Sequence, residues 1–273
     1  MKISRWIKKT ALSEEFLRGR MCFIAGPRQV GKTTMVKSFL SAVGQEKHYY
    51  NWDSPLIKRR FALNPYFFIE DLPAEIKNPW VALDEIHKYP KWKNILKGYY
   101  DEWGDKIRFV VTGSARLDIY SRGGDSLQGR YLLHRMHPVT LSELCELSVP
   151  DSIDSMLELA TDLPPAKHLH ANLDALLRLG GFPEPLLAGS ERQAARFRLA
   201  YGTRLVREDL RDLESIRDLD RVELLFDRLP AGVGSLLSVN ALREDLEASF
   251  ESTETWLRAL ERLYAVFRVA PFG

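Results

Sequence analysis

The segment GPRQVGKT, residues 26–33, constrains the fold of this chain more than any other feature of the sequence. It matches the pattern GxxxxGK[ST], in which glycines let the backbone wrap so that successive N–H groups point toward phosphate oxygens. The apolar run MCFIA (21–25) precedes the segment, and apolar residues recur at helical spacing after it. A buried strand, a glycine-rich turn and an amphipathic helix, in that order, predict a phosphate-binding loop within an α/β fold.

Each position of this loop has a physical role in binding a nucleotide. The helix that starts near Lys32 adds its positive end to the site, and Lys32 places a cation at the β and γ phosphates. The Thr33 hydroxyl is a suitable ligand for Mg²⁺. ATP and Mg²⁺ are therefore the expected cofactors, with an ordinary glycine turn as the alternative for the string alone. The expected nucleotide-binding residues are Gly26, Pro27, Arg28, Gln29, Val30, Gly31, Lys32, Thr33 and Thr34.

A second motif, VALDE (81–85), predicts a buried strand that ends in two carboxylates. Functional sites of α/β sheets lie at the carboxyl ends of the strands, where Asp84 would emerge. Asp84 is expected to hold the Mg²⁺ shell through water, and Glu85 to polarise the attacking water. The alternative is an acidic pair on a solvated loop.

A third motif, VVTGS (110–114), brings polar side chains to the end of another apolar run. Ser114, or alternatively Thr112, is expected to sense the γ-phosphate. The alternative is turn chemistry by Gly113 and Ser114. No NKxD string supports a GTPase, and no acceptor-site signature supports a small-molecule kinase.

Five short apolar runs, separated by helical patterns, organise roughly the first 145 residues. This alternation predicts an α/β fold with a mostly parallel sheet that helices cover on both faces. We assign residues 1–148 to this P-loop domain. The predicted strands are MCFIA (21–25), HYYNW (48–52), WVAL (80–83), IRFVV (107–111) and YLLHRM (131–136).

The remainder of the chain reads as helical. Residues 149–231 form the predicted α-helical region, in which the glycine pair 180–181 ends one helix. Residues 232–273 form a winged-helix-like module without a second wing strand: helices at about 239–249 and 254–264 precede a strand, AVFRVA. Ser252 and Thr253 are the candidate N-caps of the second helix.

The formal charge of +2 conceals a gradient along the chain. Residues 1–60 carry 13 basic against 4 acidic residues, whereas residues 121–273 carry 18 against 24. The basic segment suits a phosphate ligand. Because DNA affinity depends mainly on lysine and arginine, the excess of acidic residues in 232–262 disfavours DNA binding by the winged helix. Its predicted packing face consists of Trp256, Leu257, Leu260 and Leu263.

Composition and cysteine usage exclude several other classes of protein. The hydrophobic content of 45% and the absence of repeats exclude disordered, collagenous and coiled-coil chains. Cys22 and Cys145 form no CxxC pair, so neither a disulfide framework nor a zinc site is expected, and Cys22 is predicted to be a small core residue. His87 and His137 lack metal-ligand spacing and are predicted to be structural or exposed. The chain has neither a membrane-spanning apolar run nor a signal-peptide core, which predicts a cytoplasmic protein without a membrane span.

Several strings together resemble the prokaryotic AAA+-type ATP-binding proteins, which have a P-loop core and a poorly characterised C-terminal domain. The resemblance implies an additional-strand ATPase core, then a helical region and a winged helix. It also implies that members continue past AVFRVAPF (265–272), so this chain is expected to be C-terminally shortened. The matching strings are FIAGPRQVGKTT (23–34), LDEIHKYPKW (83–92), VVTGSARL (110–117), SLQGR (126–130), HPVTLSEL (137–144), GGFPEP (180–185), LVREDL (205–210) and the stretch 234–272.

The resemblance also implies an arginine that a neighbouring subunit contributes to the site, and hence a homo-oligomer. Such an arginine stabilises charge on the transferring phosphoryl group. Arg130 is the candidate, followed by Arg122 and Arg135. The alternative is that Arg130 pairs with a carboxylate. The sensor of related ATPases is often asparagine, and Ser114 occupies that position here.

The sequence as a whole predicts a Mg²⁺-dependent ATPase that couples hydrolysis to a conformational change. Its expected catalytic residues are Glu85, Lys32, Ser114 and Arg130. Its expected partners are ATP, ADP, further copies of the chain and a protein that the sequence does not name. Two alternatives remain open: a nucleotide-gated regulator that reads DNA through the winged helix, and an ATP-binding interaction module with little turnover.

Overall fold

The computed structural model describes residues 3–114, 117, 127–148, 150, 152–161, 168–210, 216 and 218–270. The chain divides into two compact units, residues 1–189 and 190–273. The finer division at residues 148 and 231 remains a prediction.

The first unit is built on a five-stranded sheet in which every strand pair is parallel. The predicted α/β fold is confirmed, and all five predicted strands are present. Their order in the sheet is β2-β3-β4-β1-β5. Because β4 lies between β1 and β3, the sheet has the additional-strand arrangement. The strands are β1 (Met21–Ala25), β2 (Tyr49–Asn51), β3 (Trp80–Asp84), β4 (Arg108–Thr112) and β5 (Tyr131–Arg135).

Both faces of the sheet are covered, which explains why its central strands are continuous apolar runs rather than alternating ones. Every residue of β1 and of β3 is buried. Successive residues of β1 enter two cores: Phe23 packs into an aromatic-rich core on one face, and Cys22 and Ile24 pack into a smaller core on the other. Cys22 is a core residue, as predicted.

Helices and short turns of 3-10 helix connect and cover these strands. The helix that follows β1 begins at Lys32, directly after the glycine-rich loop. The 3-10 turns are Glu46–His48, Phe67–Asp71 and Ile86–Lys88. The helices of this unit are α1 (Trp6–Ala11), α2 (Glu14–Leu17), α3 (Lys32–Ala42), α4 (Pro55–Leu63), α5 (Trp92–Trp103), α6 (Leu141–Leu144), α7 (Ile153–Thr161), α8 (Leu169–Leu179) and α9 (Pro183–Ala188).

The second unit is helical over the elements that the structure describes. Trp256, Leu257 and Leu260 of its last helix and Leu263 directly after that helix are buried, as the sequence pattern predicts. Its elements are α10 (Glu191–Arg204), a π-helix (Leu205–Leu210), α11 (Leu219–Arg228), a 3-10 turn (Leu229–Gly232), α12 (Val239–Asp245) and α13 (Phe250–Arg262).

Two predictions about the end of the chain are wrong. The N-cap of α13 is Ser249, whose side chain accepts a hydrogen bond from the Ser252 N–H at 3.0 Å. Residues 265–270 are not a strand. A strand requires a neighbouring strand to pair with its backbone, and within the described part of the chain no strand pairs with this segment. The helical pair is therefore present, but the winged helix is not confirmed.

One further structural property concerns membranes. Over the residues that the structure describes, no helix combines the length and the apolar character that crossing a membrane requires.

Candidate functional site

The glycine-rich loop leaves β1 after Ala25 and leads directly into α3. Gly31 caps this helix with a φ of 97°, which lies in the left-handed region that glycine adopts without strain. At Gly26 the limit is also steric: a Cβ there would lie 2.3 Å from the backbone oxygen of Met136. The Met136 N–H donates to the Ala25 oxygen at 2.8 Å, so the loop backbone passes directly against the segment after β5.

We expect Gly26→Ala to destabilise the loop by about 1–3 kcal/mol, because the clash is with backbone rather than with a flexible side chain. Thermal denaturation measures this loss. Gly98→Ala in α5 is the matched control, since nothing lies within 4 Å of its Cβ position. Helix propensity predicts that the control has equal or higher stability. Equal melting temperatures for Gly26→Ala and the wild-type protein would contradict this account of the loop.

Lys32 is buried, and its ammonium group lies inside the loop. The Nζ atom donates to the backbone oxygens of Gly26 at 2.9 Å and Pro27 at 2.7 Å. These carbonyls position the Lys32 ammonium at the start of α3. The free backbone N–H groups at this end of the helix attract anions as well, so both features favour a phosphate ligand.

A buried ion pair fixes the loop from the N-terminal side. Arg5 Nε donates to Glu143 Oε1 at 3.0 Å, and Arg5 Nη1 donates to the Val30 oxygen at 2.9 Å. The same guanidinium donates to the His137 oxygen. Arg5 thus links three segments around the phosphate loop, although it lies far from each of them in sequence.

Glu143 is held in place by the start of α6. It forms a capping box with Thr140, and its Oε1 also accepts a hydrogen bond from the Trp6 N–H at 2.9 Å. The T-x-x-E spacing of such a box can be recognised in the sequence. The ion pair between Glu143 and Arg5 cannot, because it joins residues that are distant along the chain.

The strand β3 delivers Asp84 to the edge of the sheet beside the phosphate loop. Thr33 Oγ1 donates to Asp84 Oδ2 at 2.8 Å, and the hydroxyls of Thr112 and Tyr49 also donate to this carboxylate. The strand register explains the Thr112 contact, because Thr112 lies opposite Asp84 in β4. Sequence analysis missed Tyr49, whose pKa is raised by burial and by its hydrogen bond to Asp84.

The oxygens of Thr33 and Asp84 suit a hard divalent cation such as Mg²⁺, which prefers oxygen ligands and keeps several of its waters. Among the residues described, no group of three or more His, Cys, Asp and Glu side chains forms a metal site. A cation at this edge would therefore depend on Thr33, Asp84 and ligand oxygens rather than on a protein cage.

Glu85 follows directly and adopts a left-handed backbone conformation, with φ 59°. Its N–H donates to the Thr112 oxygen at 2.9 Å, which fixes the turn against β4. Glu85 Oε2 lies 3.3 Å from Lys88 Nζ, which is also bound to Asp53 at 2.6 Å. Burial raises the pKa of Glu85 above its ordinary value, and the charge of Lys88 acts against that rise.

The end of β4 brings Ser114 close to this carboxylate through His87. Ser114 Oγ lies 3.3 Å from His87 Nε2, and the same nitrogen lies 3.5 Å from Glu85 Oε2. Gly113 makes room for the ring, since a Cβ at this position would lie 2.5 Å from His87 Nδ1. His87, which the sequence predicts to be structural or exposed, is buried and lies within the site.

Arg130 is not brought together with the other site residues. Arg130 precedes β5 at the amino edge of the sheet, opposite the phosphate loop, and its Nε donates to Asp101 at 2.7 Å. Arg135 ends β5 at the carboxyl edge, where the phosphate loop lies, and is opposite Ala25 in the sheet register. Arg122 lies outside the described residues. A contribution of Arg130 to a neighbouring subunit remains a prediction.

The string GGFPEP lies next to the phosphate loop. Helix α8 ends at Gly180, and the Gly181 oxygen accepts a hydrogen bond from the Val139 N–H at 2.7 Å. A Cβ at Gly31 would lie 3.7 Å from Pro183 Cγ. The segments HPVTLSEL and GGFPEP, which are distant in sequence, therefore both pack around the loop.

Several of the described arginines of the second unit are engaged by carboxylates. Arg258 Nε lies 2.9 Å from Glu254 Oε1, and Arg228 Nη1 lies 2.6 Å from Asp245 Oδ2. Arg268 pairs with both Glu254 and Glu261. These pairs reduce the positive charge available for nucleic-acid phosphates and favour the packing role predicted for this region.

Comparisons with known proteins agree with this geometry. Residues 18–145 match the family described as an AAA domain, and residues 170–273 match a domain of unknown function (DUF8612). The P-loop region of the chain therefore resembles an AAA domain, and the C-terminal part matches a domain of unknown function.

Two relatives match over the full length of the chain. They are the uncharacterized proteins Mb2031c of Mycobacterium bovis and Rv2008c of Mycobacterium tuberculosis, each 25% identical over 272 residues. The chain spans 54% of each relative, or about half of its length. Among solved structures, the ORC1 protein of Aeropyrum pernix in complex with DNA matches with a TM-score of 0.39 and 13% identity, covering 97% of this chain and 85% of that one.

Proposed function

We propose that the chain hydrolyses ATP with Mg²⁺ and couples the nucleotide state to a conformational change. The observation that carries this proposal is the contact between Thr33 and Asp84 at 2.8 Å, which joins the phosphate loop to the acidic end of β3. The alternatives, a simple glycine turn and a solvated acidic loop, do not require this contact.

Phosphate binding is assigned to the loop and to the start of α3. In this proposal the backbone of residues 26–34 surrounds the phosphates, and Lys32 supplies a positive charge that Gly26 and Pro27 already hold in place. Because the ammonium is ordered before the ligand binds, little side-chain entropy remains to be lost.

Mg²⁺ binding is assigned to Thr33 and Asp84. A bound Mg²⁺ would neutralise charge on the β and γ phosphates. Thr33 would bind the ion through Oγ1, whereas Asp84, whose oxygens accept hydroxyl hydrogens, would hold its waters. Tyr49 and Thr112 would keep the Asp84 carboxylate in one orientation.

Activation of water is assigned to Glu85. Its carboxylate would accept a proton from the water that attacks the γ-phosphorus, and ADP and inorganic phosphate would leave. Its raised pKa supports this role, because a general base accepts a proton more readily when its pKa approaches the working pH.

The segments that touch the loop are the proposed route of the conformational change. Met136, Pro183 and the Arg5 guanidinium all contact the loop or its neighbouring backbone. A shift of the loop on binding or hydrolysis would therefore move these segments. Oligomerisation, with Arg130 contributed to a neighbouring site, belongs to the same proposal.

Thr33→Val tests the Mg²⁺ assignment, because valine keeps the shape of the side chain and removes its oxygen. We expect the enhancement of ATP affinity by Mg²⁺, measured by isothermal titration with and without the ion, to fall by about tenfold or more, consistent with the loss of a charge-assisted contact. Ser41→Ala in the last turn of α3 is the control and should behave as the wild-type protein does. An unchanged Mg²⁺ enhancement in Thr33→Val would overturn the assignment.

A further inference from the structure

His87 occupies a position in the site that the proposed function leaves unexplained. Its side chain is only 2% exposed, and its Nε2 faces two oxygens at once: Ser114 Oγ at 3.3 Å and Glu85 Oε2 at 3.5 Å. Glu85 directly follows β3, and Ser114 lies two residues after the end of β4. The imidazole therefore bridges the carboxyl ends of these two strands.

The chemistry of these neighbours determines which way the hydrogen bond runs. An ionised carboxylate can only accept a hydrogen bond, so Glu85 favours the form of His87 that carries a proton on Nε2. The Nε2–H group then donates to Ser114 Oγ as well, and Ser114 acts as the acceptor. The hydroxyl hydrogen of Ser114 must consequently point away from His87.

We propose that His87 is a positioning residue that directs the Ser114 hydroxyl hydrogen toward the γ-phosphate and holds Glu85 beside it. This inference rests on the proposed function, since it assumes that ATP occupies the phosphate loop. Through His87, the presence of a γ-phosphate at Ser114 is linked to the orientation of the carboxylate that activates water.

The surroundings of the ring restrict it to this orientation. The missing Cβ of Gly113 leaves the space that Nδ1 occupies. On the other side, Lys88 binds the same Glu85 oxygen at 3.3 Å and is itself held by Asp53. Glu85 is therefore contacted by both Lys88 and His87, and His87 connects it to Ser114.

The main test compares His87→Leu with His87→Gln, because glutamine retains an N–H donor of similar reach and leucine does not. Affinities for ADP and for a non-hydrolysable ATP analogue are measured, together with kcat and KM. In His87→Leu we expect the preference for the triphosphate to fall by about tenfold and kcat to fall by about tenfold, in keeping with one hydrogen bond to a charged group. KM for ATP should rise by about the factor by which the triphosphate affinity falls, and His87→Gln should restore most of these losses.

A double variant shows whether His87 acts through Ser114. Residues that act as a unit lose function non-additively. His87→Leu combined with Ser114→Ala should therefore lose no more of the triphosphate preference than the more severe single variant does. A double variant whose losses equal the product of the single losses would overturn the proposal.

His48→Leu controls for the removal of a buried imidazole. His48 is buried, and its Nδ1 lies 3.1 Å from the Trp80 oxygen, at the opposite end of β3 from Asp84. We expect this variant to lose stability without losing the triphosphate preference. The same loss in His48→Leu and His87→Leu would overturn the positioning role.

Lys32→Ala separates this proposal from the proposed function. If Lys32→Ala abolishes nucleotide binding while His87→Leu keeps the wild-type preference and kcat, the role of His87 is wrong and the proposed function stands. If the wild-type protein binds neither nucleotide, both are wrong.

Discussion

Replacement of Lys32 by alanine is expected to lower the affinity for ATP by at least about 100-fold, the largest effect of any single substitution in the phosphate loop. The variant removes a buried positive charge from the phosphates, and charge-assisted hydrogen bonds contribute roughly 1.5–3 kcal/mol each. It also leaves the oxygens of Gly26 and Pro27 without the donor that holds them.

Titration of a fluorescent ATP analogue measures this loss. The control is Lys47→Ala, which removes an exposed lysine from the 3-10 turn after α3 and should leave the affinity unchanged. Circular dichroism establishes that Lys32→Ala is folded. Binding of ATP to folded Lys32→Ala with wild-type affinity would place the nucleotide elsewhere on the protein.

Glu85→Gln is expected to retain ATP and to slow its hydrolysis by about 10²–10⁴-fold, the range that general-base catalysis contributes. Glutamine keeps the size of the side chain but cannot accept the proton from water. Steady-state hydrolysis and equilibrium binding, measured on the same preparation, separate the two effects. Hydrolysis at the wild-type rate would remove Glu85 from the reaction.

The same variant has a consequence for stability that does not depend on turnover. Because burial raises the pKa of Glu85 in the folded protein, the folded state binds more protons than the unfolded state between the ordinary and the raised pKa. The contribution of Glu85 to the free energy of unfolding is therefore fully present at acid pH and is lost as the pH rises through that interval. Glu85→Gln should consequently melt at a higher temperature than the wild-type protein at neutral pH, and the difference should shrink on acidification.

Much of the first unit could be predicted from the sequence for a simple physical reason. In a parallel sheet that is covered on both faces, the strands are short continuous apolar runs, and their ends carry the polar residues. VALDE and VVTGS show both features, so the placement of Asp84 and Thr112 at one edge followed directly. The spacing of the runs is compatible with several strand orders, and the additional-strand order was implied only by the resemblance to AAA+-type proteins.

The contacts that complete the site depend on tertiary structure. Arg5 and Glu143 are 138 residues apart, and nothing in either local sequence specifies the other. Tyr49 reaches Asp84 only because β2 lies beside β3 in the sheet. His87 was predicted to be structural or exposed, and its contact with Ser114 depends on the two strand ends being neighbours in the sheet.

Helical periodicity in the second unit gave the correct kind of structure but not its details. The apolar spacing of Trp256, Leu257 and Leu260 predicts the buried face of α13. The cap was misplaced because three hydroxyl residues, Ser249, Ser252 and Thr253, compete for that position, and only the backbone geometry selects Ser249.

The most direct test of the central claim is a single-turnover measurement of phosphate release, with protein in excess over ATP and Mg²⁺ present. We predict that the wild-type protein releases inorganic phosphate in one turnover, while Glu85→Gln binds the same ATP and releases it at least about 100-fold more slowly. Equal release by both proteins would contradict the assignment of Glu85. No release by the wild-type protein with ATP bound would contradict hydrolysis itself and leave an ATP-binding module in its place.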